Sequence, residues 1–254
     1  MSKRDLYFSK QLMNAAGTLG LAPDPRTPVP WDELGAFVTN PISLRPRKPA
    51  ADPELLPTPG GFLLHTGLPN PGLDTVMKKF SRRWNDASLP VIVHLMADRP
   101  EETARMVQRL EAVENVMAAE LGFAPLLADD IILLTVELCL GELPLIVSLP
   151  REQVLRLGPR VVALGAQAVS LSAPRGMSLD SQREPVTGRL IGPALFAESL
   201  LLTRDAARAG IPLIAAGGAS SKENASAMLE AGALAVQLDS VLWKGDWAIS
   251  REKS

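Results

Sequence analysis

The stretch that most constrains this chain runs from Ile211 to Ser240, IPLIAAGGASSKENASAMLEAGALAVQLDS. It opens on an apolar run of strand length, residues 211–216. Gly217 and Gly218 follow and permit a tight turn. Ser220 then starts a helix with Glu223 three residues on, the pairing of a capping box. Gly232 ends that helix as a left-handed C-cap, and a second apolar run, 233–238, follows at once. Strand, glycine turn, helix and strand make a βαβ unit, the connection that parallel strands require. Free N–H groups at the turn, with a helix dipole behind them, favour an anion. Two meanings stay open for Gly217 and Gly218: a phosphate cradle, or a sharp turn and nothing more.

The same alternation fills the rest of the chain. Residues 12–16 read as a strand that stops at Gly17-Thr18-Leu19-Gly20, and 36–42 as a second strand weakened by Pro41. Residues 45–61 read as an irregular segment, basic at Arg45, Arg47 and Lys48, of the length of a lid or a disordered loop. Residues 72–84 fit a helix whose basic end suits its dipole. Further strands are expected at 90–97, 115–123, 144–149 and 166–171. Helices are expected at 101–113 behind Asp98 as cap, at 129–140, at 153–164 and at 194–209. Residues 172–191 read as a long loop. Eight strands alternating with helices fit a (β/α)8 TIM barrel, one domain over residues 1–254, better than an open sheet. Such barrels carry their sites on the loops that follow the strands.

Composition narrows the function classes. A net charge of −2 speaks against nucleic acid as a partner. Cys139 is the one cysteine, which excludes an intramolecular disulfide and a cysteine metal cluster. With only His65 and His94 beside it, no metal site is expected. No apolar run is long enough to span a bilayer, and the first ten residues hold no apolar signal core. A soluble cytoplasmic chain without a membrane partner is the expectation.

Five segments, in order, resemble the dihydroorotate dehydrogenase family, nearest its soluble class, over nearly the whole chain. Asn14-Ala15-Ala16-Gly17-Thr18-Leu19-Gly20 is similar to the family's first-strand motif, which lies against the flavin. The run from Val38 to Arg47, VTNPISLRPR, is similar to the second-strand motif, and Gly67-Leu68-Pro69-Asn70-Pro71-Gly72 to the loop over the substrate. Gly192-Pro193-Ala194 and Gly217-Gly218-Ala219-Ser220-Ser221 resemble the segments that hold the phosphate of FMN. The resemblance implies an FMN enzyme that oxidises dihydroorotate. It places cofactor contacts at Ala15, Ala16, Gly17, Asn40, Ser148, Gly192, Gly217, Gly218, Asp239 and Ser240. It places the substrate loop at Leu64, Thr66, Gly67, Leu68 and Asn70. It also implies a homodimer and an iron–sulfur electron-transfer subunit as partners.

The residues that would do the chemistry depart from the family pattern. The base cysteine falls at Pro125, within Gly122-Phe123-Ala124-Pro125-Leu126-Leu127, where no side chain takes a proton. The family's two lysines fall at Asn40 and Ser148, and its two asparagines at Leu64 and Ser172. Its Gly-Thr or Gly-Ser pair after the last strand falls at Asp239-Ser240. A carboxylate beside a phosphate is repulsive by several kcal/mol at low dielectric. The expectation is therefore a barrel that has lost dihydroorotate oxidation and serves as a binding or assembly partner. The alternative is an FMN-dependent oxidoreductase of this type, in pyrimidine biosynthesis or on another substrate.

Asp239 divides the phosphate site. Pointing inward, it repels FMN; turned outward, or paired with Lys222 or Lys244, it leaves room for a small-molecule phosphate. The first is expected. Cys139 reads as a core residue of an apolar helix, away from the mouth, and not as a substitute base. His94 is a structural strand histidine or points into the barrel. His65 stands beside the substrate-like loop. Glu120 is a replacement base, or a carboxylate hydrogen-bonded within the barrel. Arg175 and Arg189, on the loop after the sixth strand, bind an anion or lie on the surface.

Overall fold

Parallel strands buried on both faces read as unbroken apolar runs, and this chain has several: VIVHLM, LIVSL and LIAA are buried along nearly their whole length. In the computed structural model, which describes residues 5–52, 54–244 and 247, these runs close into a barrel. The elements in chain order are β1 (Leu12–Asn14), β2 (Phe37–Val38), β3 (Glu54–Thr58), β4 (Gly61–His65), α1 (Leu73–Asn85), β5 (Val91–Met96), α2 (Pro100–Leu110), β6 (Val116–Gly122), α3 (Asp129–Cys139), β7 (Leu145–Leu149), α4 (Val154–Leu164), β8 (Ala168–Leu171), β9 (Arg175–Leu179), β10 (Pro185–Ile191), α5 (Phe196–Arg208), β11 (Leu213–Ala216), α6 (Lys222–Glu230), β12 (Ala235–Leu238) and α7 (Val241–Lys244). Eight strands form the barrel sheet in the order β1-β12-β11-β8-β7-β6-β5-β2. The Gly35 N–H donating to Leu12 O at 2.7 Å, beside the Met13–Ala36 bridge, closes β2 back onto β1.

Side chains alternate along a strand with period two, so one residue per strand builds each layer of the interior. Met13, Val38, Ile92, Ala118, Ile146, Ala168, Ile214 and Ala235 supply one such layer, all completely buried. Burying a large apolar side chain contributes about 1.5–3 kcal/mol, which makes this layer the floor on which the site stands.

Four expectations need correction. Residues 45–61 are not irregular throughout, and 172–191 are not a loop. β3 and β4 form one antiparallel hairpin and β9 and β10 another, joined in a second sheet of order β3-β4-β10-β9. Exposure alternates along β3 and β9, the mark of a half-buried strand, but polar residues and Pro57 obscure it in sequence. Ser221, not Ser220, caps α6, with its Oγ accepting from the Asn224 N–H at 3.2 Å. Asp98 does not cap α2; the N-cap is Arg99, without a side-chain bond, because Pro100 starts that helix. Among the described residues no helix is long and apolar enough to cross a membrane.

Cys139 is 3% exposed on α3, in the cluster that holds Leu110 and Leu143, and does not line the barrel mouth. Burial pushes its thiol from 9.0 up to about 12. At pH 8 that lowers the thiolate fraction, and with it alkylation, by about 1,000-fold relative to an ordinary thiol. Maleimide labelling of the native chain should be negligible and should become complete in denaturant. Fast labelling of the folded chain, blocked by an anion, would reverse the assignment.

Candidate functional site

Two residues beyond the apolar floor, on the same face of each strand, the lining turns polar. Val38, Ile92, Ala118, Ile146, Ala168 and Ala235 are followed at this spacing by Asn40, His94, Glu120, Ser148, Ser170 and Gln237. Glu120 is the hub. It is 1% exposed and accepts from Ser170 Oγ at 2.6 Å and Gln237 Nε2 at 2.9 Å on one oxygen. The other oxygen meets His94 Nδ1 at 2.7 Å. Burial alone would raise the Glu120 carboxyl; the hydrogen bond and charge of His94, then Ser170 and Gln237, outweigh it and hold the group below its ordinary range. Nδ1 is the ring nitrogen that meets Glu120, so Nε2 is the one turned away from it. That nitrogen faces Gly122, and a Cβ there would collide with it. The side chain missing at Gly122 thus gives His94 its opening to the mouth.

Above this layer lies a cavity of about 550 Å³, in the size range of small-molecule sites, at the C-terminal ends of the strands. On one side it is lined by Phe123, Ala124, Pro125 and Leu126, which offer no proton acceptor. On the other it reaches Gly217, whose φ of +89° calls for glycine. Arg151, just beyond β7, lies against Gly217 and donates from Nη2 to Ala216 O at 3.0 Å. Its side chain is 5% exposed, yet Nε and Nη1 have no hydrogen-bond partner. Glu198 stands 3.7 Å from Nη1, too far for a hydrogen bond. Burial lowers the Arg151 pKa, opposed by the charges of Glu198 and Glu152.

Asp239 points inward and lines the cavity. It accepts from the Ser240 N–H at 2.6 Å and the Ser240 hydroxyl at 3.2 Å. Burial raises its pKa; Ser240 and the Gly218 N–H pull it partly back. Lys222 does not reach it, being paired with Glu33 at 2.9 Å, and the side chain of Lys244 lies outside the described residues.

The other expected residues divide. Ala15, Ala16, Gly17, Leu68, Ser148, Ser172, Arg175 and Arg189 line the cavity. Asn40 instead pins a loop, its Oδ1 accepting from the Gly20 N–H at 3.0 Å. Asn70 accepts from the N–H groups of Ser43 and Gly72 and from the Ser43 hydroxyl. Thr66 Oγ1 accepts from the Leu68 N–H, and Gly67 O accepts from Arg47 Nε. Leu64 pairs with Arg189 in the β4–β10 ladder, and His65 stands opposite Glu54 away from the cavity. Gly192 is a glycine because its backbone crosses that of Gly61: a Cβ would lie 2.5 Å from the Gly61 Cα. Gly218 faces the backbone of Phe196 in the same way. Arg151 escaped the sequence reading because it lies past a strand end, in the 3-10 turn Arg151–Gln153 that leads into α4.

This donor set does not fit FMN as the resemblance has it held. At the flavin end, Arg189 covers Gly17, its Nη1 and Cζ lying 3.0 and 3.6 Å from where a Cβ would stand. At the phosphate end the amide of Ser240 already holds the Asp239 carboxylate. No cation stands at Asn40 or Ser148.

A family model described as Dihydroorotate dehydrogenase matches residues 3–122. The catalytic subunit of dihydroorotate dehydrogenase B (NAD(+)) from Pelobacter propionicus is 32% identical, covering 92% of this chain and 84% of its own. That of Trichlorobacter lovleyi is 31% identical over the same shares. The crystal structure of DHODH from Eimeria tenella, in complex with ferulenol, superposes with a TM-score of 0.73 at 16% identity, over 96% of this chain and 79% of its own. That likeness bears on the fold alone and agrees with the barrel.

Proposed function

The chain belongs to the dihydroorotate dehydrogenase family, and from that premise we propose that its barrel mouth binds an anionic small molecule and does not run the family's loop-base oxidation of dihydroorotate. Arg151 carries the proposal. A buried guanidinium with two idle donors costs about 1–3 kcal/mol or more per unmade bond, and an anion's oxygens would remove that cost. Charge-assisted bonds of this kind are the strong ones. The loop Gly122 to Leu127 argues against the family's reaction, since it offers nothing to take the proton.

A second reading is an FMN-dependent oxidoreductase of dihydroorotate dehydrogenase type, and the relatives' names back it better than they back loss of catalysis. Within this chain it draws on His94, an imidazole oriented by Glu120 and open to the mouth. It brings a companion subunit with it, because the relatives are called catalytic subunits. A homodimer and a cytoplasmic place belong to both readings.

Calorimetric titration with inorganic phosphate tests the proposal. Native protein should bind, and Arg151→Ala should weaken binding about 10- to 100-fold, the worth of one or two charge-assisted bonds. Asp239→Asn should strengthen it about tenfold or more by removing a like charge. No binding, or an affinity indifferent to Arg151, would refute the proposal.

A further inference from the structure

We infer that Arg175 and Arg189 form a second anion site in the same mouth, so that the ligand carries two anionic groups; this rests on the anion-binding reading of Arg151. The two arginines are directly opposite each other in the β9–β10 ladder. Like charges at such positions are destabilising, and a sheet keeps them only where something offsets the cost. Among the described residues neither side chain has a hydrogen bond or ion pair, and the one charge felt by Arg189 is that of Arg175. Both line the cavity. Arg189 is aimed inward by its seat on Gly17, which follows β1 and, at a φ of +84°, has no side chain to obstruct it.

The spacing sets the ligand's length. Gly17 follows β1 and Gly217 follows β11, with β12 between them in the sheet. At about 4.8 Å per strand, the footholds of Arg189 and Arg151 are about 10 Å apart. One small oxyanion does not bridge them. An elongated dianion does, with a phosphate or carboxylate at each end. Two heads on one tether raise the effective concentration of the second, and so the affinity, without any new kind of contact.

The test compares methylphosphonate with methylene-, butylene- and octylene-bisphosphonate by calorimetry. Affinity should rise with tether length, and octylene-bisphosphonate should bind at least about tenfold tighter than methylphosphonate. Arg189→Ala and, separately, the exposed Arg175→Ala should abolish that gain. A methylphosphonate affinity that no tether improves, or a gain that survives Arg189→Ala, overturns the second site and leaves the first standing. Failure of methylphosphonate itself to bind overturns the anion-binding reading and this inference with it.

Discussion

Replacing Glu120 by alanine should destabilise the fold by about 3 kcal/mol or more, at about 1–3 kcal/mol for each buried group left without its partner. Three donors then lose their acceptor inside the barrel: His94, Ser170 and Gln237. The layer beneath is apolar and fully buried and cannot supply another. Urea unfolding measures the effect as a fall in midpoint at unchanged slope. A loss under about 1 kcal/mol would mean that water or a repacked side chain satisfies the three donors.

The same carboxylate gives the stability a pH signature. Its folded pKa lies below the ordinary 4.5, so the folded state binds its proton less readily than the unfolded chain does. The contribution is therefore complete above the unfolded pKa of about 4.3 and is lost as pH falls through the folded value. Glu120→Gln should unfold more easily than the native chain at neutral pH, and the difference should shrink under acid.

Much of the fold was legible because period-two parity and the βαβ spacing are local. The unit from Ile211 to Ser240 lies where expected, with the helix cap one residue late. The inward aim of Asp239 follows from the same parity, since Gln237, two residues before it, faces Glu120. The second sheet was hidden twice over: polar residues and Pro57 obscure its two local hairpins, and the β4–β10 pairing that joins them spans more than a hundred residues, Leu64 finding Arg189. Arg151 was hidden for a related reason. Its meaning lies in Ala216 and Gly217, which reach it only once the barrel closes. His94 and Glu120 were each visible as candidates, but their 2.7 Å contact needed the register of β5 on β6.

The family's reaction gives the largest functional contrast. A positioned general base contributes typically 10²- to 10⁴-fold to a rate, and the loop from Gly122 to Leu127 has none to position. The two lysine positions of the family pattern, Asn40 and Ser148, bring no charge to support a hydride acceptor. These deficits fall on different steps, so their effects should compound. His94 lines the mouth with its ring held by Glu120, and His94→Ala is the variant that isolates its contribution.

The direct measurement is a steady-state assay of the purified chain with dihydroorotate, added FMN and an electron acceptor. The account predicts no turnover above a blank without protein, in a preparation that binds phosphate through Arg151. Turnover above that blank, abolished by His94→Ala in a protein that still folds, would contradict it and establish the oxidoreductase.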